Sequence, residues 1–73
     1  MKSYLKSLRK SGDAHIVEPM EEGFAIVRKD AARAAAFNEI ARQAMEHSGL
    51  DYVALPRSDG HCNYDRVFII PLD

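Results

Sequence analysis

Residues 30–49 constrain the fold most, because they read as one amphipathic helix with a start signal, a stop signal and a single apolar face. At about 100° per residue, Ala34, Phe37, Ile40, Ala41, Ala44, Met45 and Ser48 fall on one side, with Ala35, Glu39, Arg42, Gln43 and Glu46 on the other. Asp30 stands where an N-cap accepts hydrogen bonds from first-turn amides. Gly49 stands where a left-handed residue ends a helix without a Cβ penalty.

The flanking segments read as strands. Residues 14–18 and 23–29 are β-rich runs separated by Pro19, Met20, Glu21 and Glu22, a proline-opened connection closing on glycine, which is hairpin chemistry. Residues 51–55 and 66–72 have the β-branched and aromatic content of strands, with Pro56 and Pro71 marking strand ends. At the N-terminus, Met1, Tyr4, Leu5 and Leu8 repeat at helical spacing while Lys2, Lys6, Arg9 and Lys10 fall mainly away from them, which predicts a short helix stopped by Gly12. The predicted architecture is α+β: a two-layer sandwich in the order α-β-β-α-β-β, with a four-stranded sheet and helices packed mainly on one face, formed by residues 1–73 as a single domain. If the second and third strands are parallel and share the sheet, the crossover through the long helix is right-handed. The two halves share element order but no residue pattern, which weighs against an internal duplication.

A chain of 73 residues buries only roughly 60% of the surface its unfolded form exposes, and domains of this size compensate with disulfides, a metal, oligomerisation or very regular packing. Cys62 is the only cysteine. It forms no intrachain disulfide and makes a poor start for a structural zinc site, and a lone thiol favours a reducing compartment. No run approaches the roughly 18 apolar residues of a membrane span, and the N-terminus lacks a secretory h-region, so a soluble cytoplasmic protein without membrane contact is expected. Ten Lys and Arg against eleven Asp and Glu give a net charge of -1, which argues against both a diffuse basic nucleic-acid binder and a uniformly acidic DNA mimic. Charge is split locally: Lys2, Lys6, Arg9 and Lys10 come before any acid, then Asp13, Glu18, Glu21 and Glu22 follow without Lys or Arg.

Both faces of the later strands are apolar, since Val53 and Leu55 alternate with Tyr52 and Ala54, and Phe68 and Ile70 with Val67 and Ile69. One helical layer covers one face. Either the other side binds a partner or a second copy, or the N-terminal helix folds over part of it. A thick core with a few exposed aliphatic side chains is the plainer alternative.

The segment from Arg57 through Asp59, His61 and Cys62 to Tyr64 and Asp65 gathers the most reactive side chains. Catalysis by Cys62 would need His61 or another base held against its sulfur, a geometry that neighbours on a flexible loop rarely keep. Asp59, His61 and Asp65 match no metal motif. The segment is longer than a sheet turn requires, which suits a recognition loop. His15 and His47 read as a strand residue and a helix C-terminal residue. P-loop, GxGxxG, HExxH and zinc-finger spacings are missing, as are double-stranded-RNA, RRM and KH signatures. No catalytic residue, no metal ligand and no cofactor is therefore assigned, and a non-enzymatic role is expected.

Residues 30–36 (Asp-Ala-Ala-Arg-Ala-Ala-Ala), Ala44-Met45-Glu46, Tyr52-Val53-Ala54-Leu55 and Phe68-Ile69-Ile70-Pro71 resemble some small phage-encoded anti-CRISPR proteins. In those an Ala-rich helix containing Ala-Met-Glu precedes a Tyr-Val-x-Leu strand and a final apolar strand ending near proline. The cationic N-terminal helix and the longer loop of residues 57–65 depart from that pattern. The resemblance implies an inhibitor that blocks a type I CRISPR surveillance complex or its nuclease by steric occlusion. The partner expected is thus a larger protein or ribonucleoprotein complex, met by surface charges and an exposed sheet edge. Glu18, Glu21, Glu22, Lys2, Lys6, Lys10, Arg57, Asp59, His61 and Tyr64 are the candidate contact residues. A second copy of the chain, pairing through the uncovered sheet face, is a further partner. The alternative is a small nucleic-acid-associated regulator using the basic N-terminal helix.

Overall fold

A computed structural model describes residues 4–72. In chain order these form α1 (Tyr4–Leu8), β1 (His15–Met20), β2 (Gly23–Arg28), a 3-10 turn (Ala31–Arg33), α2 (Ala34–Glu46), β3 (Tyr52–Ser58) and β4 (Tyr64–Pro71). The fold is α+β with a four-stranded sheet in the order β1-β2-β4-β3, and all neighbours are antiparallel. Because β4 runs antiparallel to both β2 and β3, those two strands point the same way without touching. The chain leaves β2, crosses through α2, and returns down the far edge as β3; β4 then inserts into the gap.

Strand pairing divides the side chains into two rows. Val17, Phe24, Ile26, Val67, Ile69, Tyr52 and Ala54 share one row by register, and all pack in one cluster with Leu5 and Leu8 of α1 and Phe37, Ala41 and Ala44 of α2. The predicted apolar stripe of the long helix is therefore its buried stripe. The N-terminal helix joins this same core, which removes the expectation that it folds over the other side. Its Arg9 guanidinium lies 4.9 Å from the centre of the Phe24 ring, a cation–π contact. Under α1 the His15 side chain is buried, and a Cβ on Gly12 would stand 3.4 Å from its ring.

α2 is tied to the sheet at its end. Tyr52 is fully buried, and its hydroxyl donates to the Ala44 carbonyl at 2.6 Å. That carbonyl lies in the last four residues of the helix, where no intrahelical amide is left to meet it. On the outer face, Arg42 pairs with Glu39 and, at 2.8 Å, with Glu46. These exposed i,i+3 and i,i+4 pairs contribute little.

Several boundaries differ from the sequence reading, each for a local reason. Asp30 does not cap: its backbone is extended, its carboxylate makes no cap hydrogen bond, and it takes the Arg33 guanidinium at 2.7 Å instead, so the helix opens with a 3-10 turn. Gly49 has the expected positive φ, +97°, yet its amide donates to the Tyr52 carbonyl at 2.7 Å. It turns the chain into β3 and does not close the helix. The first hairpin turns on Glu21 and Glu22 alone, because β1 runs through Pro19 to Met20. Likewise β3 runs through Pro56 to Ser58. Both prolines lie in the outermost strands, where a missing ladder donor is tolerated, so neither marks a strand end. Gly23 begins β2 so close to β4 that a Cβ there would meet the Ile69 carbonyl oxygen at 2.2 Å. Only glycine fits that approach.

Candidate protein-binding surface

The row of side chains opposite the core takes no part in the core cluster and is left uncovered by the described residues. Register assigns to it Ile16, Glu18 and Met20 of β1, Ala25 and Val27 of β2, Arg66, Phe68 and Ile70 of β4, and Val53, Leu55 and Arg57 of β3. Leu55 keeps 51% of its surface exposed and Ile16 40%, while Met20, Val27, Val53, Phe68 and Ile70 are half-buried by one another. Ala25 is buried among them. Larger exposed apolar patches are a general mark of contact surfaces, which makes this row the candidate.

Charge lies along one side of the patch. Arg57 and Arg66 are direct register partners on adjacent strands, a like-charge pairing that opposes sheet stability unless an anion answers it. Glu18 answers Arg66 across β2 at 3.5 Å, and Arg66 also lies 6.0 Å from the centre of the Phe68 ring. Arg57 is exposed.

The segment after Arg57 is shorter and better fastened than a free recognition loop. With β3 reaching Ser58 and β4 starting at Tyr64, only residues 59–63 connect them. Asp59 holds this turn together: its carboxylate accepts from the His61 amide at 2.7 Å and the Asn63 amide at 3.4 Å, and from Arg28 of β2 at 3.0 Å. The His61 amide, opposed by partial desolvation and then helped by Arg28 and Asn63, holds the Asp59 carboxyl below its ordinary value. Asn38 of α2 completes the fastening, donating to the Asn63 side chain at 2.8 Å and accepting from the Tyr64 amide at 2.9 Å. Register shifts between Arg57 and Ser58, leaving Asp65 as the extra residue of a β-bulge, and beyond it Tyr64 packs against the core. A bulge re-aims a side chain in this way.

Of the sequence-derived contact residues, the structure therefore places Glu18 and Arg57 on the uncovered row, at opposite edges of the sheet. Asp59 and Tyr64 are engaged inward. His61 is exposed at the tip of the turn beside Cys62, which is also exposed and has a φ of +68°. Glu21 and Glu22 are exposed on the first hairpin turn, and Lys6 and Lys10 are exposed in and just after α1, while Lys2 lies outside the described residues. Arg66 and Asn38 escape the sequence reading. Asn38 carries a visible signal, as the single amide on the inner half of an Ala-rich helix, a residue type that favours backbone partners.

Among the described residues, no group of His, Cys, Asp and Glu is placed to hold a metal ion, and no helix is long and apolar enough to cross a membrane. No family model, curated protein or solved structure matches this chain.

Proposed function

We propose that this chain is a small non-enzymatic protein-binding module, a two-layer α+β sandwich that acts by covering a site on a larger protein or ribonucleoprotein. In its most concrete form it is a phage-type inhibitor of a type I CRISPR surveillance complex or its nuclease. One observation carries the binding reading: a sheet face opposite the core exposes Ile16 and Leu55 among half-buried apolar side chains, beside two adjacent arginines. The anti-CRISPR form rests on the resemblance of the Ala-rich helix and the two apolar strands that follow it.

The exposed Lys6 and Lys10 favour a second reading, a nucleic-acid-associated regulator. The uncovered face itself supports this less well, since Phe68 is its only aromatic side chain and single-strand platforms stack successive bases on several.

A plasmid-interference assay tests the proposal: cells carrying a type I CRISPR system and a targeted plasmid express either the wild-type chain or Leu55→Glu. Leu55 is more than half exposed, so the substitution leaves the fold intact, to be checked by a thermal melt. Plasmid survival with wild type and its loss with Leu55→Glu is the expected result. Failure of the wild type across type I systems would overturn the inhibitor form, and full inhibition by Leu55→Glu would overturn the assignment of the surface. Binding of nucleic acid that falls steeply with added salt, abolished by Lys6→Glu and Lys10→Glu, would establish the second reading instead.

A further inference from the structure

The uncovered face is self-complementary in shape and in charge. Its β2 column is low, with Ala25 at the centre and Gly23 at the end, whereas the adjacent β4 column is high, with Phe68 and Ile70. A two-fold axis parallel to the strands, passing between β2 and β4, lays the low column of one copy over the high column of the other, and does so twice. Ala25 then faces Phe68 of the second copy. The same rotation sets β1 over β3, placing Glu18 opposite Leu55 and about 7 Å along the strand from Arg57, within reach of that long side chain. Rotation about an axis across the strands would instead set Glu18 against Glu18, which charge disfavours. We propose that this face is covered by a second copy of this chain, giving an isologous dimer with Ala25–Phe68 packing at its centre and Glu18–Arg57 ion pairs at its rims. The proposal rests on reading the face as a binding surface, for which the second copy and the target then compete.

Two further facts point to this occupant. Among the described residues Glu18 pairs with Arg66 on this face while Arg57, the like-charged register partner of Arg66, is exposed, and the rotation brings a second Glu18 toward it. A chain this short also gains the burial it lacks by associating.

Sedimentation equilibrium of the full chain reads the outcome directly, as a mass near 8.2 kDa or about twice that. The wild type is expected to dimerise, and Leu55→Glu to weaken association by at least tenfold. A charge-swap pair fixes the arrangement. Glu18→Arg alone sets two cations against each other at each rim, and Arg57→Glu alone sets two anions there, so each variant is expected to be monomeric. Mixed in equal amounts, the two variants bring opposite charges together at both rims and should form a heterodimer. A wild type that stays monomeric at every concentration tested would overturn the proposal, as would a mixture that fails to associate when the wild type dimerises. If the wild type is monomeric while Leu55→Glu still abolishes inhibition, the face serves a different protein and only self-pairing fails. If the wild type dimerises while Leu55→Glu is monomeric and still inhibits, self-pairing stands and the assignment of the face to the target fails.

Discussion

Tyr52→Phe removes one oxygen and nothing else, at the point where the sheet holds the end of α2. The ring stays, so no cavity opens, and the described loss is the 2.6 Å hydrogen bond to Ala44. Both residues are fully buried, so water does not replace the hydroxyl, and the carbonyl is left as an unmet acceptor at a helix end. An unsatisfied buried acceptor of this kind costs about 1–3 kcal/mol. For a domain this small, each kcal/mol moves the melting temperature by about 4–8 degrees, so a fall of about 5–20 degrees is expected. Far-UV circular dichroism followed through a thermal melt at neutral pH measures it, and a native spectrum before melting confirms that the fold is kept. A shift smaller than about 2 degrees would refute the reasoning, because the helix end would then not depend on this hydroxyl.

Phe37→Ala empties the centre of the fully buried helix face and should cost about 3–5 kcal/mol, a large part of the roughly 4–11 kcal/mol available to a chain of this length, as read by urea denaturation. His15 is held below its ordinary value of 6.5 chiefly by burial, opposed by the Lys10 and Leu8 carbonyls and reinforced by Lys29. The folded state therefore binds this proton less readily than the unfolded chain. Stability should fall as pH drops below 6.5 and level off once the folded-state value is passed; urea titrations at stepped pH should show this slope in the wild type and not in His15→Phe. Cys62→Gly should raise stability by roughly 0–1 kcal/mol, since relief of the left-handed backbone outweighs the added freedom of the unfolded chain, and Cys62→Ser should leave the melt unchanged.

Periodicity makes the helix face legible: spacing alone assigns Phe37, Ala41 and Ala44 to it, and they form the core. Alternation in Tyr52-Val53-Ala54-Leu55 and Val67-Phe68-Ile69-Ile70 likewise reveals two apolar faces. Strand order is not legible, because antiparallel and parallel returns from a helix use the same side chains, and only tertiary packing inserts β4 between β2 and β3. Proline misleads twice for one reason: it forbids a ladder donor only where a partner strand needs one, and the sequence does not say which strands are outermost. The contact residues Asp59 and Tyr64 show a similar limit. A polar loop composition does not distinguish side chains offered to solvent from those turned inward by an arginine thirty-one positions away or by a bulge.

The prolines of the two border strands bear on how many copies can gather. A face that pairs through a rotation is filled by one partner copy and offers nothing to a third copy, whereas a border strand that accepts a new strand presents a fresh border and invites the next. Growth by the second route leads toward fibres. Pro19 in β1 and Pro56 in β3 interrupt the backbone template on both sides, while the hydrophobic surface between them stays uninterrupted. A proline in each border strand thus works against open-ended growth by strand addition, whatever the face between them binds.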